Sequence, residues 1–310
     1  MPHDPNILIF GAGRMGLSHA AMARLLSPTA SVDIFDPDFK SRAIVGIISG
    51  KKIRCISKVE AFNCYSHVII ASPPRFHDSN YSDIFKDGYA GKVLVEKPVM
   101  LESQDHSALF QSGYVLRHNK YVRQMIADVS SQRVKEIDIN LTTNQDFSCD
   151  NSSWRMQENF PGQSMLNEFG SHCINIALAF SGDLGFIALS SESNKVCMQS
   201  AVAGDHIANI QLYGGARDVR KSVFTIAVTT ENFVYETDLY SFQKRLIDGE
   251  LVEKVSLATQ GISAAAYLRG IDFSEQMTSF LSGKYENSDI IDSRRTDRII
   301  SEIQGSLTNA

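Results

Sequence analysis

Two groups of residues in this 310-residue chain have the types and spacing for chemistry. The first is a carboxylate and an imidazole four places apart, Glu168 and His172, in the stretch from Pro161 to Asn175. Read as a helix, that stretch sets both on one face, where the carboxylate can orient the ring and support its charged form, as a general acid/base requires. The second is the triplet Gly11, Gly13 and Gly16, which follows the apolar run Ile7 to Phe10 and precedes helix-forming residues. Strand, glycine turn and helix in that order make a dinucleotide phosphate site. Gly11 lets the chain leave the strand sharply, Gly13 has no Cβ to hold a pyrophosphate away, and Gly16 lets the helix lie close to the strand. The phosphates would meet the N-terminal turn of that helix, Arg14, Met15 and Gly16, where free N–H groups and the dipole favour negative charge.

A second strand, Ser31 to Phe35, ends in Asp36, 20 residues after Gly16, where such folds place the carboxylate that binds the adenosine ribose. Asp36 would accept hydrogen bonds from both ribose hydroxyls and repel a 2′-phosphate, so NAD is expected over NADP, with Lys40 and Arg42 as nearby opposing charges. The other reading of Asp36 is a turn opener before Pro37. Two further strands, Ser66 to Ala71 and Lys92 to Val95, are followed by Ser72-Pro73-Pro74 and Glu96-Lys97-Pro98. Loops at the carboxyl ends of parallel strands face the ligand. Ser72, Pro73, His77, Glu96 and Lys97 therefore join the cofactor-binding candidates, with His77 read as support for its loop.

These sites need a scaffold. Helices are expected over Gly13 to Leu26, Phe39 to Ser49, 76 to 87 and Ser103 to Gln111, alternating with strands that include a poor one at 53 to 56 and one at Tyr114 to Leu116. That alternation predicts a doubly wound parallel sheet, an N-terminal Rossmann domain over residues 1–118. From 119 to 310 the rhythm changes. After a helix from Tyr121 to Ser131, Ile137 to Thr142 and Asn209 to Leu212 alternate strictly, and strand-like runs fall near 186 to 192, 222 to 229, 233 to 240 and 251 to 257. The expectation is an α+β domain with a large, mostly antiparallel open sheet that serves substrate binding and oligomerisation. Asp272-Phe273-Ser274-Glu275 reads as a capping box for one closing helix, and Ile299, Ile300, Ile303 and Leu307 share a face of the last. Self-association into a homodimer or homotetramer through the open sheet is expected.

Composition narrows the classes. A net charge of −5 gives no footprint for nucleic acid, and no apolar run reaches the roughly 18 residues of a membrane span. The N-terminus lacks the basic region of a signal peptide, and five scattered cysteines without a C-x-x-C pair read as reduced thiols in a cytoplasmic protein. The eight histidines show no metal-ligand spacing, so no metal is expected.

The order Gly11-x-Gly13-x-x-Gly16, Pro73-Pro74 with His77, Glu96-Lys97-Pro98, Tyr114 to Arg117, Trp154-Arg155 and Glu168-x-x-x-His172 resembles the glucose-fructose oxidoreductase / inositol dehydrogenase / MocA family. Tyr267-Leu268-Arg269-Gly270 with Phe273 extends the likeness to the C-terminal part. The resemblance implies a nicotinamide-dependent oxidoreductase acting on a sugar, cyclitol or nucleotide sugar. By it, Lys97 reaches the reacting oxygen, His172 removes or returns the hydroxyl proton, and Glu168 supports the substrate and the histidine. An ammonium beside a developing alkoxide is stabilising on general grounds too. Arg117, Asn119, Trp154 and Arg155 are candidates for lining the substrate cleft, and Arg75 could neutralise an acidic substrate.

The chain departs from the family pattern in three places: Glu168 stands where aspartate is usual, only Gly162 remains of a glycine run, leaving Gln163 and Ser164 there, and Asn175 replaces an aspartate. These bear on the substrate more than on the reaction class. Two other outcomes of the same fold are a redox-inert dinucleotide-binding regulator and an enzyme that cleaves glycosides through transient oxidation. Tyr240-x-x-x-Lys244 has the spacing of short-chain dehydrogenases but falls in a strand-rich region, so it is read as chance.

Overall fold

The computed structural model describes residues 4–49, 53–86, 88–102, 109–146, 163–192, 194–202, 206–215, 223–239, 244–254, 264–284 and 290–308. The chain forms two compact units, residues 1–115 with 273–294, and residues 116–272 with 295–310.

The first unit contains β1 (Asn6–Phe10), α1 (Arg14–Leu26), β2 (Ser31–Phe35), α2 (Phe39–Ile48), β3 (Arg54–Ile56), β4 (His67–Ile70), α3 (His77–Phe85), β5 (Lys92–Val95) and β6 (Leu109–Ser112). The six strands are parallel, in the order β3-β2-β1-β4-β5-β6. The chain winds one way from β1 to β3 and the other way from β4 to β6, so the carboxyl ends of β1 and β4 flank a topological switch point. Leu8, Phe10, Val68, Ile70, Val93 and Val95 pack on one face with Tyr81 and Ile84 of α3. Ile7, Ile9, Val32, Ile34, Ile69 and Leu94 pack on the other with Ala20 and Ala23 of α1 and Val45 of α2. Burial on both faces explains why β1 and β4 read as unbroken apolar runs.

The sixth strand is not where the sequence pattern predicts it. Tyr114 is fully buried and Val115–His118 is a 3-10 turn, whereas the strand is Leu109–Ser112. The ladder with β5 runs from Lys92↔Leu109 to Val95↔Ser112 and ends at Gly113, where a Cβ would lie 2.6 Å from Glu96 Cα. The apolar run after that glycine therefore fills the core and pairs with nothing in the sheet. The expected helix Ser103 to Gln111 gives way to β6 over 109–111, and its residues 103–108 lie outside the described residues. Gln111 misleads because a buried amide resembles a helix-surface residue: its Nε2 donates to Gln276 O at 3.1 Å, and Gln276 Nε2 donates to Ser112 O at 3.4 Å.

The second unit begins with α4 (Lys120–Val129) and β7 (Val134–Thr142). Next, α5 (Gln163–Met165) passes through a π-helical turn, Leu166–Gly170, into α6 (Ser171–Ser181). Seven strands follow: β8 (Gly185–Glu192), β9 (Lys195–Val202), β10 (His206–Tyr213), β11 (Val223–Thr230), β12 (Val234–Asp238), β13 (Lys244–Ile247) and β14 (Glu250–Lys254). Helices α7 (Ala264–Ser282) and α8 (Ile290–Thr308) close the chain. The eight-stranded sheet has the order β14-β13-β12-β11-β7-β10-β9-β8 and is antiparallel except between β7 and β10. Ile137, Ile139 and Leu141 of β7 face a core shared with Met125 of α4, Ile174 of α6 and Ile299 and Ile303 of α8. The alternating residues Glu136, Asp138 and Asn140 do not join that core, and Asn209 Nδ2 donates to Asp138 Oδ1 at 2.9 Å. The expected open, mostly antiparallel sheet is thus present.

Two of its strands, β9 and β13, were not expected. In β9 the inward set is Val196, Met198 and Ser200, whose polar third member blurs the alternation, and β13 has only 4 residues. The predicted capping box is also displaced: Asp272 lies well inside α7, 4% exposed, with both carboxylate oxygens accepting from Asn119 Nδ2 at 3.1 and 3.2 Å. A buried acid holding an interior amide has the same sequence signature as a cap. Residues 264–272 of α7 belong to the second unit and the rest to the first. Among the described residues, no helix is long and apolar enough to cross a membrane.

Candidate active site

The glycine turn has the geometry its spacing implies. Gly11 has φ +99°, a region that favours glycine, and a Cβ there would lie 2.7 Å from Ala71 O. Its N–H donates to Phe35 O at 2.8 Å, fastening the turn to β2. A Cβ on Gly16 would come within 1.9 Å of Gly11 O, whereas one on Gly13 would meet nothing within 4 Å. Gly16 is therefore fixed by the protein's own packing, while Gly13 leaves open space at the start of α1. No side chain caps that helix N-terminus. An uncapped first turn beside an open glycine fits a pyrophosphate. Asp36 sits against the same turn, its Oδ2 accepting the Ala12 N–H at 2.8 Å and its Oδ1 the Asp38 N–H at 2.9 Å. Arg42 Nη1 donates to the Asp36 and Pro37 carbonyls at 2.6 and 2.9 Å, so its guanidinium braces the loop.

The loops after β4 and β5 are joined by His77. The ring is fully buried, with Nε2 2.8 Å from Ser72 O and Nδ1 3.0 Å from Pro98 O. Burial holds its pKa below the ordinary imidazole range against the opposing pull of these carbonyls. Whichever nitrogen carries the proton donates to a loop carbonyl, which is the supporting role expected of His77. Ser72 Oγ accepts from Asn80 Nδ2 at 2.8 Å, and Pro73 precedes the 3-10 turn Pro74–Phe76.

Glu96, expected to contact the cofactor, turns its carboxylate inward. Oε1 lies 2.6 Å from His19 Nε2 of α1, and Oε2 accepts the main-chain N–H of Lys97 at 3.3 Å. His19 was missed at the sequence level. Its signal was its position: it shares a face of α1 with Gly16, Ala20 and Ala23, all buried, and a histidine on a buried face needs a partner. Lys97 itself is half-buried at the carboxyl end of the sheet.

In the second unit, Glu168 lies in the π-helical turn and His172 in the first turn of α6, both half-buried. The wide turn leaves the Asn167 carbonyl to accept from Ser171 Oγ at 3.0 Å, while the Ser171 N–H donates to Leu166 O. Such turns recur at functional sites. Gln163 and Ser164, 8% and 4% exposed, are mostly buried.

Arg117 and Asn119, expected in the substrate cleft, are interior groups. Arg117 Nη1 donates to the Asn175 carbonyl at 3.0 Å and to its Oδ1 at 3.4 Å, and Asn175 Nδ2 donates to Thr296 Oγ1 at 3.2 Å. Asn175, where an acid was expected, therefore ties α6 to α8 through an amide. Asn119 caps α4, its Oδ1 accepting the Tyr121 N–H at 2.9 Å. Trp154 and Arg155, like Tyr240 of the chance motif, lie outside the described residues. Burial drives the Cys173 thiol far above its usual range, so it is an inert core group.

Comparison with known proteins agrees with this geometry. Residues 5–113 match the family model GFO_IDH_MocA, described as an oxidoreductase family with an NAD-binding Rossmann fold. No curated protein matches the chain by sequence. Among solved structures, levoglucosan dehydrogenase in complex with NADH is 16% identical with a TM-score of 0.74, the match covering 98% of each chain. UDP-N-acetylglucosamine 3-dehydrogenase GnnA from Acidithiobacillus ferrooxidans is 13% identical with a TM-score of 0.72, covering 97% of each. A putative NADPH-dependent oxidoreductase from Desulfitobacterium hafniense is 15% identical with a TM-score of 0.75, covering 100% of this chain and 97% of that one. At these identities the likeness is one of fold, and it spans both units. The glycine turn and Asp36 lie within the matched segment: residues 5–113 are similar to the GFO_IDH_MocA oxidoreductase family with its NAD-binding Rossmann fold.

Proposed function

We propose that the protein is an NAD-dependent dehydrogenase or reductase acting on a hydroxyl or keto carbon of a sugar, cyclitol or nucleotide sugar. The observation that carries this reading is that the open glycine turn and the Glu96-Lys97-Pro98 turn end strands of one parallel sheet at the same, carboxyl edge. The names of the similar structures, a levoglucosan dehydrogenase and a UDP-N-acetylglucosamine 3-dehydrogenase, support the substrate class.

In this reading Gly11, Gly13 and the first turn of α1, with Arg14, Met15 and Gly16, hold the NAD pyrophosphate, Asp36 holds the adenosine ribose, and Ser72 and Pro73 border the cofactor on the β4 side. NAD supplies the hydride acceptor or donor. The Lys97 ammonium stabilises negative charge on the substrate oxygen, and His172 takes the hydroxyl proton in oxidation and returns it in reduction. Glu168 orients His172 and favours its charged form. Gln163 and Ser164, at the head of the helical segment that carries Glu168 and His172, are the positions proposed to set substrate shape. The outward face of the large sheet, with Glu136, Asp138 and Asn140, is the surface proposed for self-association into a dimer or tetramer.

The test is turnover with NAD across a panel of sugars, cyclitols and nucleotide sugars. Lys97→Met and His172→Ala should each lower turnover about a hundredfold or more while NAD still binds. Near-normal turnover in either variant contradicts its assigned role. Bound NAD with no NADH formed from any member of the panel favours the redox-inert reading, and sugar release without NADH accumulation favours glycoside cleavage.

A further inference from the structure

We propose that His19 is a positioning residue for Lys97, acting through the Glu96 carboxylate. The proposal rests on the reading of Lys97 as a catalytic group, and it concerns how that residue is held.

A carboxylate at the end of β5 that is only 6% exposed needs partners, because burying an unmet charge is costly. Glu96 has them on opposite sides. One oxygen meets His19, 77 residues away in sequence and fully buried, and the other accepts the N–H of the next residue, Lys97. The pocket is cut to this carboxylate: a side chain at position 113 would place its Cβ 2.6 Å from Glu96 Cα and 3.0 Å from Oε2, so Gly113 leaves the space that Glu96 occupies. The Glu96 N–H donates to Ile70 O at 2.9 Å, which fixes its main chain to β4. Phe273 stands edge to face against the His19 ring at 5.7 Å, so the imidazole is held as well.

The two Glu96 oxygens are thus divided, one toward α1 and one toward the Lys97 main chain. Because α1 begins at the glycine turn, the pair links the phosphate-binding helix to the residue that meets the reacting oxygen. A core polar pair of no functional consequence would not need the second oxygen on the Lys97 main chain.

The experiment compares the full-length wild type with His19→Leu, which keeps apolar bulk and loses the donor, and with His19→Gln, whose side-chain amide can donate from nearly the same place. The readout is hydrogen exchange of the Lys97 main-chain amide by NMR, with and without NAD. His19→Leu should speed that exchange at least about tenfold while amides in β1 and β4 exchange as in wild type, and His19→Gln should restore it to within about threefold. Unchanged exchange in His19→Leu, or a His19→Gln variant no different from it, overturns the proposal. Should His19→Leu not fold, Glu96→Gln answers the same question, with faster local exchange expected and unchanged exchange contrary. No turnover is needed, so an absence of dehydrogenase activity counts against the proposed function, while unaltered exchange at Lys97 counts against the positioning role alone.

Discussion

The two sheets carry their candidate chemistry in different ways. In the parallel sheet of the first unit it lies at the ends of strands, where the main chain dictates what can stand: a positive φ at Gly11, a Cβ-free Gly16, and a glycine opposite Glu96. In the second unit it lies on a helical segment, Glu168 and His172, beside a sheet whose residues serve the core on one face and an open surface on the other. Their buried polar groups differ likewise. In the first unit they include the Glu96 carboxylate with the His19 imidazole at the carboxyl edge of the sheet, and in the second Arg117 with the neutral amide Asn175 and Asp272 with Asn119. On the proposed reading, cofactor binding is constrained by sterics and so admits few sequences, whereas the group proposed to meet the substrate is a matter of side-chain choice.

The comparison breaks first at the glycines. Gly16→Ala should lower stability by more than about 3 kcal/mol, because its Cβ meets main chain that cannot yield. Gly13→Ala should leave stability within about 1 kcal/mol and weaken NAD binding at least about tenfold, since its Cβ faces only the space assigned to the pyrophosphate. Urea unfolding and calorimetric titration separate the two, and tight NAD binding by Gly13→Ala would remove the phosphates from that place.

Each unit also contains a buried histidine that sharpens the contrast. Burial, and then the charge of Lys92, push His67 down to about 4, against the pull of the Leu281 carbonyl. Burial, and then the charges of Arg123 and Arg117, do the same to His118. Both rings stay neutral in the folded chain through pH values at which the unfolded chain binds a proton. Their stabilising contribution is therefore full above about pH 6.5 and declines as the pH falls toward 4, by up to about 3 kcal/mol for each ring. His67→Gln should flatten the acid limb of unfolding for the first unit and His118→Gln that for the second. A urea midpoint that does not move between pH 7 and pH 5 would contradict both.

The smallest effect is expected at Asp36. Asp36→Ala should reduce the ratio of NAD to NADP affinity about tenfold, roughly 1.4 kcal/mol, and an unchanged ratio would detach Asp36 from the ribose.

Legibility in the sequence followed the same division. The parallel strands were readable because burial on both faces leaves continuous apolar runs, and β5 falls on Lys92 to Val95 as the pattern predicts. Apart from the short β13, the misplaced elements involve polar residues in the interior. Gln111 and Ser112 hid β6, Asp272 imitated a cap, and Ser200 blurred β9, because a satisfied buried polar group and a solvated one have the same letter. Arg117 and Asn119 looked like cleft residues for that reason, and His19 was passed over because its partner is far away in sequence. The glycine turn needed no such knowledge, since its spacing alone encodes close main-chain contact.

The first unit is completed by residues 273–294, and this segment delivers Met277 and Phe280, 1% and 0% exposed, to the core cluster that also holds Ile7, Ile9 and Val45. Each of those two side chains contributes on the order of 2 to 3 kcal/mol by its burial. A nascent chain that has reached only residue 113 would expose that cluster, so this unit reaches its final packing only once residues 273–294 have been made. Cutting the gene where the family match stops would yield a fragment with a gap in its interior.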